Sequence, residues 1–371
     1  MNNYAQEIKH FRTIEDHEKT VSCWAPFQAL HITKKGRVRP CPFSFNKNYN
    51  QPNNSHWSPT NSLLNIWHND TMERMRNVHV LGDVDSLGCE YCDNSRKEGK
   101  PPSSLDFDWV GGTRSLNHTY PKEIELELSN KCNYMCNACG PWCSSKHMER
   151  LGLQNDTNYQ SIFDNPEIGQ AFIEDLRTII HHLHRVNFTG GEPFAQKIVY
   201  DIIKMINEEN PKDLQIHFTT NGSVMNGIVK KLAAKPNTHF TISLDSIDPI
   251  KYPLIRVHGV LDNVMQNIDT LKSLCDGVIG CSFVIQKDNV FDLPKIVSWC
   301  NENNIVFSYH ILANMDGGSL DKLTPIRVEG ETTKYLNKLK KYLLSAEIYK
   351  EDNELCDKNI NMFHQYIKRI K

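Results

Sequence analysis

The chain has 371 residues, 39% hydrophobic and 23% charged, with a formal net charge of −2 and a pI near 6.8. That length buries a proper core and suits one large domain plus a small one, and the near-neutral balance argues against a general nucleic-acid binder. No apolar run approaches the roughly 20 residues that span a bilayer, and the charged opening "MNNYAQEIKHFRTIEDHEKT" lacks a signal-peptide core, so a cytoplasmic protein with no membrane and no nucleic-acid partner is expected.

Disulfides do not persist in that compartment, so twelve cysteines point to metal or redox chemistry. Residues 1–100 are polar and loop-rich. "SCWAPFQALHITKKGRVRPCPF" carries Cys23, then twelve residues, Gly36, four residues and Cys41. "FQALHIT" and "GRVRPC" read as hairpin strands joined by "KKG", which brings the two cysteines to one end. "TNSLLNIW" is helix-like, and "LGCEYC" adds Cys89 and Cys92 as C-x2-C. Four thiols so arranged suit zinc or an iron–sulfur cluster, and the spacing does not separate the two. Residues 93–118 carry Pro-Pro, Gly-Gly and serines, the chemistry of a linker, which is placed at 101–119.

From about 120 a regular alternation begins. "EIELELS" alternates acid and aliphatic, the period of a strand with one apolar face; Glu123, Glu125 and Glu127 therefore share a side, where substrate contact and a half-exposed edge are equally good readings. A helical run over 168–184 leads to the strand "RVNF" and "TGGEP". The helix "FAQKIVYDIIKMINEE" precedes the strand "LQIHFTT", which ends in Asn-Gly. "SVMNGIVKKLAA" is helical, "HFTISLDS" a strand, "LDNVMQNIDTLKSL" a helix, "VIGCSFVIQ" a strand, "LPKIVSWCNEN" a helix and "IVFSYHI" a strand. Six strands alternating with helices predict an α/β fold with a parallel sheet curled into a partial (β/α)6, TIM-like barrel. The barrel is placed at 120–325, behind a small N-terminal Cys-rich β-hairpin and helix domain. A C-terminal helical extension over 326–371 follows, with helices in "TTKYLNKLKKYLLSAEIY" and "CDKNINMFHQYIKRI".

Ligands in such a barrel collect at the C-terminal strand ends, and four informative loops sit there. After the first strand, "NKCNYMCNACGPWC" carries Cys132, Cys136 and Cys139 as C-x3-C-x2-C. Three thiolates leave one iron of a 4Fe–4S cluster open, whereas a four-cysteine zinc site needs a fourth ligand that this loop does not offer as a second pair. Gly-Gly-Glu, Asn-Gly and "SLDS" end the next three strands. Cys143 is expected on the helix that starts there, binding nothing. Cys275, Cys281, Cys300 and Cys356 read as small core residues, and "HHLHR" as a helix C-terminus.

With "ELSNKCNYMCNAC" after the first strand, residues 120–312 resemble the radical S-adenosylmethionine (SAM) superfamily. The resemblance implies that the open iron chelates SAM, whose reductive cleavage yields a 5′-deoxyadenosyl radical that abstracts hydrogen from substrate. It implies that Gly190, Gly191 and Glu192 grip the methionine amino group, that Ser243 touches the ribose beside Asp245, and that Arg256 in "YPLIRVHG" meets the carboxylate. Thr220 and Asn221 read as an ordinary turn. The residue before the third cysteine, often aromatic in the family, is Ala138 here; Tyr134 or Trp142 is the candidate adenine face.

C-x12-G-x4-C followed by C-x2-C resembles the twitch form of the SPASM domain, with "SLLNIWHNDTMERMR" as its intervening segment. That implies a second, auxiliary 4Fe–4S cluster on Cys23, Cys41, Cys89 and Cys92, here ahead of the barrel where most relatives carry it behind. A cluster held by four cysteines argues against the GTP cyclase of molybdenum-cofactor synthesis and for electron transfer. The expected substrate is a peptide or protein side chain, with a flavodoxin- or ferredoxin-type electron donor. The alternatives are a small-molecule dehydrogenase and a non-enzymatic zinc protein.

Overall fold

The computed structural model describes residues 21–42, 44, 55–81, 89, 92, 116–286, 288–311 and 332–369. Most of the expected linker and the 325/326 boundary fall outside the described residues. Eight strands form one open, mostly parallel sheet: β1 (Ala29–Thr33), β2 (Val38–Arg39), β3 (Glu123–Glu127), β4 (Arg185–Phe188), β5 (Gln215–Thr220), β6 (Thr238–Ser243), β7 (Ile279–Ile285) and β8 (Val306–Ile311). Their order is β2-β1-β3-β4-β5-β6-β7-β8. β3 to β8 are the six expected strands. The N-terminal hairpin is present but is not a sheet of its own: β1 pairs in parallel with β3, Ala29 opposite Glu123 and Thr33 opposite Glu127. Its other edge takes β2 antiparallel, with His31 opposite Arg39. No helix of the described residues is long and apolar enough to cross a membrane.

The chain divides into two compact units, residues 1–130, 155–190 and 196–216 in the first, and 131–154, 191–195 and 217–371 in the second. In the first, period-two alternation sorts the side chains. Leu30, Ile32, Ile124, Leu126, Val186 and Phe188 are all buried and make the apolar side. The registers put His31, the three glutamates, Arg185 and Asn187 on the opposite side. The helix Pro166–Arg177 starts where Asn165 caps the N–H groups of Glu167 and Ile168, with proline at its first position. It buries Gly169, Phe172, Ile173 and Leu176, a spacing of three and four. Trp57 packs edge-on against Phe172 at 5.0 Å and donates its indole N–H to Asp175 at 2.7 Å.

The intervening segment of this unit forms the helices Leu63–Trp67 and Asp70–Leu81. Met72, Met75, Arg76 and His79 share one buried stripe of the second. Arg76 lies 4.3 Å over the Trp67 ring and donates to Pro26 C=O and Glu73, so its charge is satisfied on three sides.

In the second unit Phe194, Phe218 and Phe240 stack at 4.8 and 5.6 Å, and Phe283 and Phe307 extend the aromatic core. Cys281, Cys300 and Cys356 are buried there as small apolar residues, and Cys275 donates its thiol to Thr238 C=O at 3.2 Å. The C-terminal helices are Thr332–Ser345 and Glu354–Arg369. Fully buried Asn359 ties the second down: its amide donates to Ile305 C=O and Asn301 Oδ1, and it accepts from Phe307 N–H at 2.8 Å. The run "HHLHR" is not a helix terminus but a short 3₁₀ turn, Ile180–His182, leading into β4.

Candidate functional site

The three-cysteine loop lies wholly in the second unit and is pinned along its length. Met135 N–H donates to Val257 C=O and Asn137 N–H to Ile255 C=O, both at 2.9 Å, and the Asn137 side chain donates to Leu254 C=O. Ser144 Oγ donates to Tyr134 C=O at 2.6 Å and His147 to Cys136 C=O at 2.9 Å. Backbone groups that a free loop leaves to water are thus taken up by the protein, which fixes where the thiols point.

Behind the loop stands one buried ion pair. Arg256, at the end of the short helix Tyr252–Ile255, meets Asp245 with Nε and Oδ2 2.7 Å apart. They close as charges rather than in hydrogen-bond alignment. The other Asp245 oxygen accepts from Val284 N–H at 2.7 Å, and Arg256 Nη1 reaches Cys136 Sγ at 3.6 Å. Asp245, expected beside the ligand, instead has no exposed surface and serves to hold Arg256. Burial pushes the Cys132 thiol up to about 12. Cys136 is pulled down because the Cys139 thiol donates to it and the Arg256 cation lies beside it, and Cys139 is pushed up by the same bond and by burial. Cys143 sits in a turn, its N–H on Gly140 C=O, before a helix that begins at Ser145; this corrects its expected place on the helix. Its sulfur is an electrostatic neighbour of Cys139.

Glu192 is fully buried and already engaged: it accepts from Thr220 Oγ1 and Asn221 N–H at 2.7 Å each, and from Phe194 N–H at 3.2 Å. Burial holds its carboxyl above the ordinary range. These three bonds fix the shape of the turn that carries Glu192. Thr220 and Asn221, read from sequence as a plain turn, are its anchors. Asn221 also donates to Asn133 at 2.9 Å and lies 4.0 Å from Cys132 Sγ. Gly190 and Gly191 both have positive φ, +71° and +51°. In the first unit a Cβ on Gly190 would stand 2.4 Å from Glu127 Cγ. Ser243 ends β6 half-buried. Tyr134 is buried, Ala138 is half-buried, and Trp142 is half exposed.

The second cysteine set lies in the first unit. Burial and the neighbouring sulfurs of Cys41, Cys89 and Cys92 raise the Cys23 thiol, so the other three cysteines stand within electrostatic reach of Cys23. Cys23 and Cys41, with Val80 and Leu116, pack against the buried cluster of Val21, Trp24, Ala25, Phe27 and Ala29. Nearby, Arg39 Nε donates to His31 Nδ1 at 3.0 Å, and His31 Nε2 faces Glu127 at 3.5 Å and Glu125 at 3.8 Å. Glu123 is tied to Arg185 and Asn187 at 2.5 Å each. Among the described residues no three His, Cys, Asp or Glu side chains gather round a single-ion cage. The fit to iron–sulfur groups rests on the donor chemistry: thiols grouped as three and four, each set with an N–H donor aimed at one sulfur.

Residues 126–300 match the sequence profile of the Radical SAM superfamily and residues 23–94 that of the SPASM iron-sulfur cluster-binding domain. A probable GTP 3′,8-cyclase of Methanocaldococcus jannaschii is 26% identical over 181 residues, 49% of this chain and 55% of that protein. A GTP 3′,8-cyclase of Campylobacter fetus is 24% identical over 210 residues, 55% of this chain and 61% of that protein. The chain thus spans a little over half the length of these curated relatives. Among solved structures, Streptococcus suis SuiB bound to precursor peptide SuiA aligns with a TM-score of 0.44 at 16% identity, covering 76% of this chain and 58% of that one.

Proposed function

We propose, from the premise that this chain belongs to the radical SAM superfamily and carries a SPASM-type iron–sulfur domain ahead of its barrel, that it abstracts hydrogen from a peptide or protein side chain. When bound, a 4Fe–4S cluster and SAM at the first cysteine set would supply the one-electron reductive chemistry of hydrogen abstraction, and a second cluster at the N-terminal set would supply an electron-transfer centre. Cys132, Cys136 and Cys139 would hold the first cluster, and Cys23, Cys41, Cys89 and Cys92 the second. A flavodoxin- or ferredoxin-type protein is the proposed electron donor.

The observation that carries this reading is the buried Arg256 guanidinium beside Cys136. Asp245 takes Nε and Cys136 faces Nη1, which leaves Nη2 as the corner of the fork that receives the SAM carboxylate. The glycine turn before Glu192 offers backbone to the amino group, with Glu192, Thr220 and Asn221 holding its shape, and Ser243 offers a hydroxyl to the ribose. On the polar side of β3 all three acids have partners, Arg185 and Asn187 for Glu123, His31 and Thr189 for Glu125, and His31 for Glu127.

A second reading, oxidation or rearrangement of a small molecule, is favoured by the relatives named GTP 3′,8-cyclase. The fourth cysteine of the N-terminal set weighs against a purine nucleotide bound to an open iron there. The test is anaerobic reconstitution with iron and sulfide, then SAM and dithionite, with deuterated candidate peptides, alcohols and GTP in separate arms. Formation of 5′-deoxyadenosine, lost in Cys132→Ala, is expected, with deuterium transferred from a peptide. Transfer from GTP or an alcohol alone overturns the peptide assignment. Stoichiometric zinc without iron overturns the radical reading.

A further inference from the structure

His79 stands apart from every residue assigned above, yet it touches one of the auxiliary cysteines. It lies on the buried stripe of the helix Asp70–Leu81 and is 2% exposed. Its Nε2 is 3.8 Å from Cys89 Sγ, within reach for a sulfur hydrogen bond. On the other side of the ring, Ser22 Oγ is 2.8 Å from Nδ1, and Ser22 N–H donates to His79 C=O at 3.0 Å. Ser22 is also the residue next to Cys23. One serine–histidine clamp therefore joins the segment bearing Cys23 to the sulfur of Cys89.

We propose that His79 is a positioning residue of the auxiliary centre, donating its Nε2–H to the ligating sulfur of Cys89, with Ser22 holding the ring in that tautomer. The proposal rests on the reading that the quartet Cys23, Cys41, Cys89 and Cys92 holds an iron–sulfur cluster. A ligating thiolate has no proton to give, so the proton between sulfur and ring belongs to Nε2. The neutral ring then presents Nδ1 as an acceptor, and the Ser22 hydroxyl, which lies 2.8 Å from Nδ1 and 3.2 Å from His79 C=O, turns its single proton to the nearer nitrogen. Hydrogen bonds to ligand sulfurs are among the protein's means of setting a cluster's potential, because they withdraw charge from the thiolate and favour the reduced state.

The experiment uses the full chain with Cys132, Cys136 and Cys139 all changed to alanine, so that only the auxiliary cluster remains. Iron and sulfide are counted and the cluster is titrated electrochemically under EPR detection, in that parent and with His79→Leu, His79→Gln or Ser22→Ala added. The parent is expected to hold about four irons. His79→Leu should keep them and show about a tenfold lower reduced-to-oxidised ratio at a given potential, a shift of about 59 mV for one electron. His79→Gln, which retains an N–H, should recover part of the shift, and Ser22→Ala should lose part of it. Four irons with an unmoved potential in His79→Leu overturn the proposal alone. Loss of iron in both His79 variants also overturns it, because His79 is then a ligand or a purely structural residue. Zinc without iron in the parent overturns the cluster reading and the proposal with it.

Discussion

Replacing Asp245 with asparagine removes one charge from a pair that has almost no contact with water. Asp245 has no exposed surface and Arg256 is 8% exposed, with their charged atoms 2.7 Å apart. At an effective dielectric of about 20, unit charges about 4 Å apart attract by about 4 kcal/mol. Breaking a buried pair by removing one partner costs about 3–5 kcal/mol, since the remaining charge stays desolvated. Asparagine still offers an oxygen to Val284 N–H, so Asp245→Asn is expected to cost about 3 kcal/mol. Asp245→Ala also strands that N–H and should cost about 1–3 kcal/mol more. Arg256→Met in the Asp245→Asn background removes the orphaned cation and should recover most of the loss. The assay is urea unfolding of the cluster-free protein under reducing conditions, read as a double-mutant cycle on the transition that contains the second unit. A cost below about 0.5 kcal/mol for Asp245→Asn, or strict additivity in the double variant, refutes the reasoning, because either result means that the pair is not energetically coupled.

Gly190→Ala combines a positive φ with a Cβ placed 2.4 Å from Glu127 Cγ; strain alone predicts a loss of about 1–3 kcal/mol in thermal melts. Gly227, where a Cβ meets nothing within 4 Å at a helix start, should tolerate alanine and serves as the control. Iron analysis of reconstituted protein should give about eight irons per chain, falling to about four in Cys23→Ser or Cys136→Ser and staying at about eight in Cys143→Ser. Burial raises the Glu127 carboxyl, but His31, Arg39 and Lys34 outweigh it and hold the group below its usual range. A carboxyl depressed in the folded state contributes stability that is complete above its unfolded value, about 4.3, and is lost as pH falls through the folded value. The Tm of Glu127→Gln should accordingly fall less steeply than wild type below about pH 4, and parallel acid limbs would exclude a role for this carboxylate.

The repeating period of apolar residues revealed β3 to β8, because each strand carries its own alternation and each helix its own stripe. The two cysteine sets and the glycine turn were equally legible, since spacing within a loop is a local property. Contacts between loops were not. Thr220 and Asn221 look like any turn until β5 brings them to the Glu192 carboxylate, and Asp245 looks like a ligand until Arg256 is folded onto it. His79 shares a helix face with two methionines and an arginine, a pattern indistinguishable from core. The docking of β1 beside β3 was likewise hidden, because the register between strands so far apart leaves no trace in the period of either.

That pairing has a consequence for how the protein is made. Ala29 must wait for Glu123 before it has a neighbour on that edge, and at ribosomal speeds of roughly 5–20 residues per second the wait is about 5–20 s. Closing so long a loop costs entropy that local contacts repay only later. During this interval Cys23 and Cys41 flank a strand still open along one side. All four cysteines of the set are synthesised before β3 emerges, yet the hairpin that carries two of them is anchored only after it. Metal loading of this set therefore belongs after sheet closure, and a nascent chain halted before residue 123 should take up iron poorly.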